Sequence, residues 1–261
     1  MRAPATALLL AAVVTAAQAG RPCEEKPLTR AQVEQGMALA QRTAQQLDAS
    51  GAQVVVLARA GQDLSQYGLQ WSHLGLAYRT ELAGKPAWRV LHKLNHCGTA
   101  EAAIYRQGLG EFFLDRPHRY EAAYVVPTPA LQQALLPLLR EPARLLALHE
   151  RRYSMVAYPW ATRYQQSNQW VLESIALAAD ASLHGRAQAQ AWLRAHGYQP
   201  SDLRISTLSR LGARVGMANV AFDDHPNAKR FAGHIETVTV DSMFAWLPRA
   251  GLGERAVLIQ P

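Results

Sequence analysis

The sequence predicts an α+β fold: a small, mostly antiparallel sheet with helices packed around it. Three observations predict this. Short β-branched or alternating runs, the mark of strands, are concentrated in the first half of the chain. Apolar residues at helical spacing dominate from about residue 129 onward. No internal repeat, low-complexity tract or long linker interrupts residues 20–261, so they read as a single domain.

The elements follow in order. Thr29 is placed to cap a helix running to about Asp48, with Val33, Met37, Ala40, Ala44 and Leu47 on one face and Ser50-Gly51 at its end. "AQVVVLAR" (52–59) reads as a buried strand and "AGQDLSQYGLQ" (60–70) as a polar loop. "WSHLGLAYR" (71–79) and "AWRVLHKL" (87–94) read as two strands joined by a turn near Gly84-Lys85. A helical segment is expected around 100–107, then a strand in "YEAAYVVP" (120–127). Pro129–Arg140 and Pro142–Glu150 read as helices with proline near each start, where its missing N–H costs nothing.

"YSMVAYPWATRYQQ" reads as irregular, after which Ser167 or Asn168 caps the helix "QWVLESIALAADA". A helix over Arg186–Ala195 stops at Gly197. A short helix near 207–213, the turn "FDDHPNAKR", the strand "HIETVTV" and a helix near 241–247 complete the chain.

The first twenty residues have a different character. Arg2, an apolar run over Ala7–Val14 and the small-x-small ending Ala17-Gln18-Ala19 have the form of a signal peptide, with cleavage expected after Ala19. The nearby Cys23 raises a lipoprotein reading, but Arg21-Pro22 fits badly before a lipid-bearing cysteine. The expected location is periplasmic or secreted. No later segment approaches the ~20 apolar residues of a membrane span.

The formal net charge is +7, and removal of Arg2 with the leader leaves +6, a balance suited to anionic envelope surfaces. The cations are scattered, with no basic stripe interleaved with aromatics. That pattern, together with export, argues against a nucleic-acid partner. Cys23 and Cys97 are the two cysteines, and in an oxidising compartment an even pair is most simply a disulfide. No cofactor motif stands out and none is expected.

Candidate chemistry centres on two histidines. Strand side chains alternate, so Trp71, His73, Gly75 and Ala77 share one face, and Val90, His92 and Leu94 share another strand's face. A turn at Gly84-Lys85 sets His73 opposite His96 and His92 opposite Ala77, whereas a turn at Ala83-Gly84 sets His73 opposite Leu94. Either two-residue loop keeps His73 and His92 on one face; an odd loop length separates them. The small Gly75 and Ala77 leave room for a helix to dock. Two histidines on one face can be buried polar residues with backbone partners, or a general base with the group that fixes its tautomer.

"SHLGLAY" followed by "WRVLHKLN" resembles the His-x-Gly strand and the next histidine strand of permuted papain-fold proteins. These include the circularly permuted NlpC-type peptidases and the lecithin:retinol acyltransferase group. In that family a later helix opens with Asn-Cys, and its cysteine meets the strand histidine. The matching step here is "SNQWVLE": Asn168 fits the asparagine, and Gln169 stands at the thiol position, where it cannot act as a nucleophile. The resemblance covers about 70–175 and implies His73, His92 and Gln169 as a catalytic-site remnant.

A closer resemblance covers most of the chain after the leader. "ARAGQDLSQYGLQWSHLGLAYR", "LNHCGT", "YQQSNQWVLESIA", "LSRLGAR", "ANVAFDDHP" and "VTVDS" are similar to signature blocks of domain-of-unknown-function family 2145. That resemblance implies no particular reaction. It does imply that Gln169 is the family's ordinary residue.

Other candidates each have a plainer explanation. Cys97 beside His96 offers an activated thiolate or half of the disulfide. Ser167 offers a hydroxyl near the vacant thiol position or an N-cap. Asp223, Asp224 and His225 are ligand types, yet three in succession cannot close a metal site alone, and Asp-Asp-His-Pro-Asn is turn chemistry. Such a turn is expected to line a pocket with Asp63. Glu173, one helical turn after Gln169, is placed to orient His73 or to bond within the fold.

The expected function is therefore an exported papain-like module without the thiol, holding an envelope ligand (peptide, glycan or lipid) in a cleft near His73. The alternative is a hydrolase or acyltransferase using His73 with Cys97 or Ser167.

Overall fold

A computed structural model describes residues 27–260; the expected leader and Cys23 lie outside the described residues. In chain order the elements are α1 (Arg30–Ala49), β1 (Val54–Arg59), β2 (His73–Leu82), β3 (Lys85–Asn95), β4 (Ala102–Gly108), α2 (Leu109–Phe113), β5 (Ala122–Val125), α3 (Pro129–Arg140) and α4 (Ala143–Leu146). They continue with α5 (Ser167–Ala179), α6 (Arg186–Ala195), β6 (Ser201–Arg204), α7 (Thr207–Gly216), α8 (Asn227–Phe231), β7 (His234–Thr237), α9 (Val240–Arg249) and β8 (Val257–Ile259). The fold is α+β. Six strands form an antiparallel sheet in the order β4-β3-β2-β1-β5-β8, and β6 with β7 form a separate ribbon.

Local chemistry explains the elements that bear on the site. Thr29 closes a capping box on α1: its Oγ1 accepts from Gln32 N, while Gln32 Oε1 accepts from Thr29 N. The β2–β3 turn is Ala83-Gly84, not Gly84-Lys85, since Leu82 pairs with Lys85. Both turn residues have positive φ, 50° and 73°, matching the right-handed twist of the flanking strands. The expected helix around 100–107 is instead β4. Asn95 Nδ2 donates to the carbonyls of Thr99 and Glu101, closing a hairpin that pairs β4 along β3. Long-range pairing here outweighs the helix preference of the local Glu-Ala-Ala run.

Alternation along the strands separates two cores. Val54, Val56, Ala58, Leu74, Leu76, Tyr78 and Leu91 face one cluster with residues of α3, α5, α6 and α9. Val55, Leu57, Ala77, Trp88 and Val90 face the other, with Leu39 and Leu47 of α1 and Phe112 and Phe113 of α2. The sheet is therefore covered on both sides, and every β1 residue is buried. Trp71 precedes β2 and packs into the α5-side core, not with His73 as strict alternation predicts. A third, smaller cluster (Leu203, Val220, Phe222, Ile235) lies with the β6–β7 ribbon, and Ala213 and Met217 pack against it.

Gly75 makes room for a strand, not for a docking helix. A Cβ there would lie 2.6 Å from Val90 Cγ1 and 2.9 Å from His92 Cβ. The approach it permits is that of β3 side chains on the α2 side of the sheet.

Candidate functional site

The Ala83-Gly84 register puts His73 diagonally across from His92, within reach on the same face. His73 Nε2 and His92 Nδ1 are 2.8 Å apart, and His92 Nε2 lies 2.8 Å from Gln107 Oε1. Gln107 Oε1 is an acceptor, so His92 carries its proton on Nε2 and accepts from His73 Nε2–H through Nδ1. Phe112 packs against both rings at centroid distances of 5.9 and 5.3 Å. Arg59 extends the cluster. Its guanidinium donates to Phe112 O, pairs with Asp115 and stacks over the Phe112 ring.

The pair is closed in. His73 is 9% exposed and His92 0%. Burial, and then the Arg59 charge, push His92 down to about 3, so it is neutral at physiological pH. This is a fixed-tautomer pair inside the α2-side core.

The expected neighbours of His73 lie elsewhere. The imidazoles face α2, whereas Trp170, Val171, Leu172 and Ile175 of α5 pack into the core on the opposite side of the sheet. Gln169 turns its Nε2 to the carbonyls of Tyr158 and Pro159 and is not brought to the histidines. Asn168 does reach β2, but through the backbone. Its Oδ1 accepts from Leu74 N at 3.2 Å, and its Nδ2 lies 3.5 Å from Ser72 O, where the β2–β3 ladder has not yet begun. Asn168 thus serves as a side-chain substitute for a strand partner.

The N-cap of α5 is Gln166, whose side chain accepts from Asn168 N; Ser167 is the first helical residue, is buried, and hydrogen-bonds with Tyr153. Cys97 lies in the exposed β3–β4 turn, beyond Asn95, itself three strand residues or about 10 Å from His92. Among the described residues no cysteine is free.

Asp224 borders a groove that Asp63 does not line. Asp63 accepts from Ser65 N in its own exposed loop. Asp223 pairs with Arg163 at 3.0 Å. Asp224 accepts from Tyr158 N and faces His225 Nδ1 at 2.9 Å, while His225 Nε2 faces Glu236 O. This supports the turn reading of the stretch, with its side chains pinning the 153–166 segment.

Glu173 does not orient His73. It is the centre of a buried polar network on the α5 side. Arg186 grips both carboxylate oxygens at 2.8 and 3.2 Å, and Gln190 Nε2 donates to Oε1 at 2.8 Å. Gln165 donates to Glu173 Oε2 and accepts from Lys93 Nζ, which also donates to Glu150 O. Lys93 is fully buried on β3, where burial, and then Arg186, lower it to about 7. Sequence reasoning missed Lys93, Gln165 and Arg186. The signal for Lys93 was available, since a lysine two residues from Leu91 on the apolar face of a strand must find partners inside.

This network shapes an open groove beside α6. Arg186 donates to the carbonyls of Ala161, Thr162 and Tyr164, and Gln190 donates to Ala161 O. Those carbonyls belong to the irregular segment that forms one wall. The groove has a volume of about 580 Å³ and is lined by Trp160, Thr162, Arg163, Gln190, Arg194 and Asp224, among others. The Arg194 guanidinium sits 4.5 Å over the Trp160 ring. Asp224 already has its own partners and Arg163 is paired with Asp223, so the outward positive charge of the groove comes chiefly from Arg194.

No helix among the described residues is long and apolar enough to cross a membrane. No curated protein and no solved structure matches the chain. One family, described as "Uncharacterized protein conserved in bacteria (DUF2145)", matches residues 46–247, which takes in the histidine pair, the buried network and the groove. The chain belongs to that family.

Proposed function

We propose that the protein is an exported binding module, not a thiol enzyme, and that it holds a carboxylate-bearing envelope ligand in the groove between the 158–166 segment and α6. The observation that carries this reading is the groove wall. A buried carboxylate and guanidinium, Glu173 and Arg186, fix three carbonyls, those of Ala161, Thr162 and Tyr164, in an otherwise irregular segment. Arg163 and Arg194 border the same groove, and guanidinium is the group best matched to a carboxylate. Trp160 holds Arg194 by a cation–π contact, which lowers the cost of ordering that side chain on binding.

The histidine pair supports the non-enzymatic part of the reading by its position. Gln169, at the position the resemblance gives to the thiol, turns to the carbonyls of Tyr158 and Pro159, and the core residues of α5 pack on the other side of the sheet. In this account the pair keeps β2, β3 and β4 in register under α2. The Cys23–Cys97 disulfide belongs to the same proposal: in the cell envelope it would anchor the N-terminal end of the chain to the β3–β4 turn.

Calorimetric titration with muramyl dipeptide and with its sugar-free L-alanyl-D-isoglutamine dipeptide tests the proposal. Both probes carry the carboxylate, so equal binding assigns recognition to the peptide carboxylate, and binding of muramyl dipeptide alone adds the saccharide. Failure of both to bind at millimolar concentration contradicts the proposal.

A further inference from the structure

We infer that the outer face of α7 is a docking surface for an anionic lipid bilayer. The ten-residue helix is capped by Ser206, whose Oγ accepts from Ser209 N. Its inner face is anchored: Ala213 and Met217 pack on the third cluster, and buried Arg210 donates to Ile205 O. Its outer face is the reverse of what a solvated helix presents. Leu208, Leu211 and Val215, at i, i+3 and i+7, are 80%, 60% and 79% exposed. Phe231, 69% exposed, ends α8, and two residues later Gly233 O accepts from Ile205 N at the base of α7.

Charge favours a bilayer of anionic lipid as the occupant. Between residues 203 and 235 the cations are Arg204, Arg210, Arg214, Lys229 and Arg230, and the acids are Asp223 and Asp224. Both acids turn inward, to Arg163 and to Tyr158 and His225. Arg204 and Lys229 are partly offset by Asp202 and Glu236 on the ribbon, while Arg230 bonds the neutral acceptors Phe222 O and Asn227 Oδ1. An apolar ridge beside arginines, whose stems can lie along the acyl boundary while their heads reach phosphates, is the composition of an interfacial helix. The ridge is too small for a second copy of the chain as a stable partner. Three aliphatic side chains on one convex helix fall short of the roughly 800 Å² per partner that such an interface buries.

The test is co-sedimentation of the full chain with vesicles of phosphatidylglycerol and phosphatidylcholine, against vesicles of phosphatidylcholine alone. Wild type should sediment with the anionic vesicles and dissociate as salt rises. The variant L208S/L211S/V215S should lose at least about tenfold in that binding while keeping its unfolding midpoint, since surface changes of this kind leave the fold intact. R214E should also weaken binding to anionic vesicles. Because these variants retain the N-terminus, the difference from wild type reads α7 alone. Equal sedimentation of the triple variant overturns the inference, as does failure of wild type to bind. A concentration-dependent dimer that the triple variant abolishes also overturns it, by assigning the ridge to self-association.

Discussion

His73 Nε2 lies 2.8 Å from His92 Nδ1, and this contact is sealed beneath Phe112 on the side of the sheet away from α5. Two imidazoles in so dry a place remain compatible only while His92 is neutral and accepts its neighbour's proton. The pair is therefore a structural joint with a definite dependence on acid. His92 is held down to about 3 when folded, against 6.5 as its ordinary value. The unfolded chain thus takes up the proton first. The stability this contributes is fully present above about 6.5 and is lost as pH falls toward 3, by at most about 1.4 kcal/mol per pH unit. Urea unfolding at pH 7, 5 and 4 should show the fall, and H92Q should flatten it.

Lys93 predicts the opposite end of the pH scale. Its ammonium is lowered from 10.5 to about 7 in the folded protein, while the unfolded chain still holds the proton up to 10.5. Stability from this group is present above 10.5 and is lost as pH falls to about 7. Unfolding midpoints should therefore rise between pH 7 and 9 in the wild type. In K93M that particular slope should vanish, while the loss of two hydrogen bonds lowers stability at every pH.

Removing one partner of the Glu173–Arg186 pair leaves a charge buried among carbonyls. E173Q should cost about 3–5 kcal/mol in chemical denaturation. Limited proteolysis should then cut the 158–166 segment more readily, because Arg186 no longer has a carboxylate to fix its position. Unchanged cleavage would separate the network from the groove wall.

Gly75 is predicted to be intolerant of a single methyl. G75A sets a carbon 2.6 Å from Val90 Cγ1 and 2.9 Å from His92 Cβ, an overlap worth about 1–3 kcal/mol. The double variant G75A/V90A should recover part of the loss, which thermal unfolding of the two variants measures directly.

Much of the fold is legible in the sequence wherever a local rule has a single local answer. Thr29 with Gln32 caps α1, and Pro129 opens α3 because proline at a helix start forfeits nothing. The histidine pair is legible too, since any two-residue loop keeps the faces aligned. What is not legible depends on partners far away in the chain. Residues 102–108 become a strand because β3 offers an edge. Gln169 reads as a remnant of a thiol site, yet strand alternation alone does not say which core each face of β2 will meet. The buried Glu173 network joins residues from 93 to 190, a spacing that no motif encodes.

The separation of groove from histidines is the central claim, and one titration addresses it most directly. Muramyl dipeptide is titrated calorimetrically into wild type, R194A and H73N, each first shown to be folded. The account predicts that R194A weakens binding by at least about tenfold, the loss of one charge-assisted contact, while H73N binds as wild type does. Loss of binding in H73N with R194A unaffected would contradict it and return the ligand to the histidine side of the sheet.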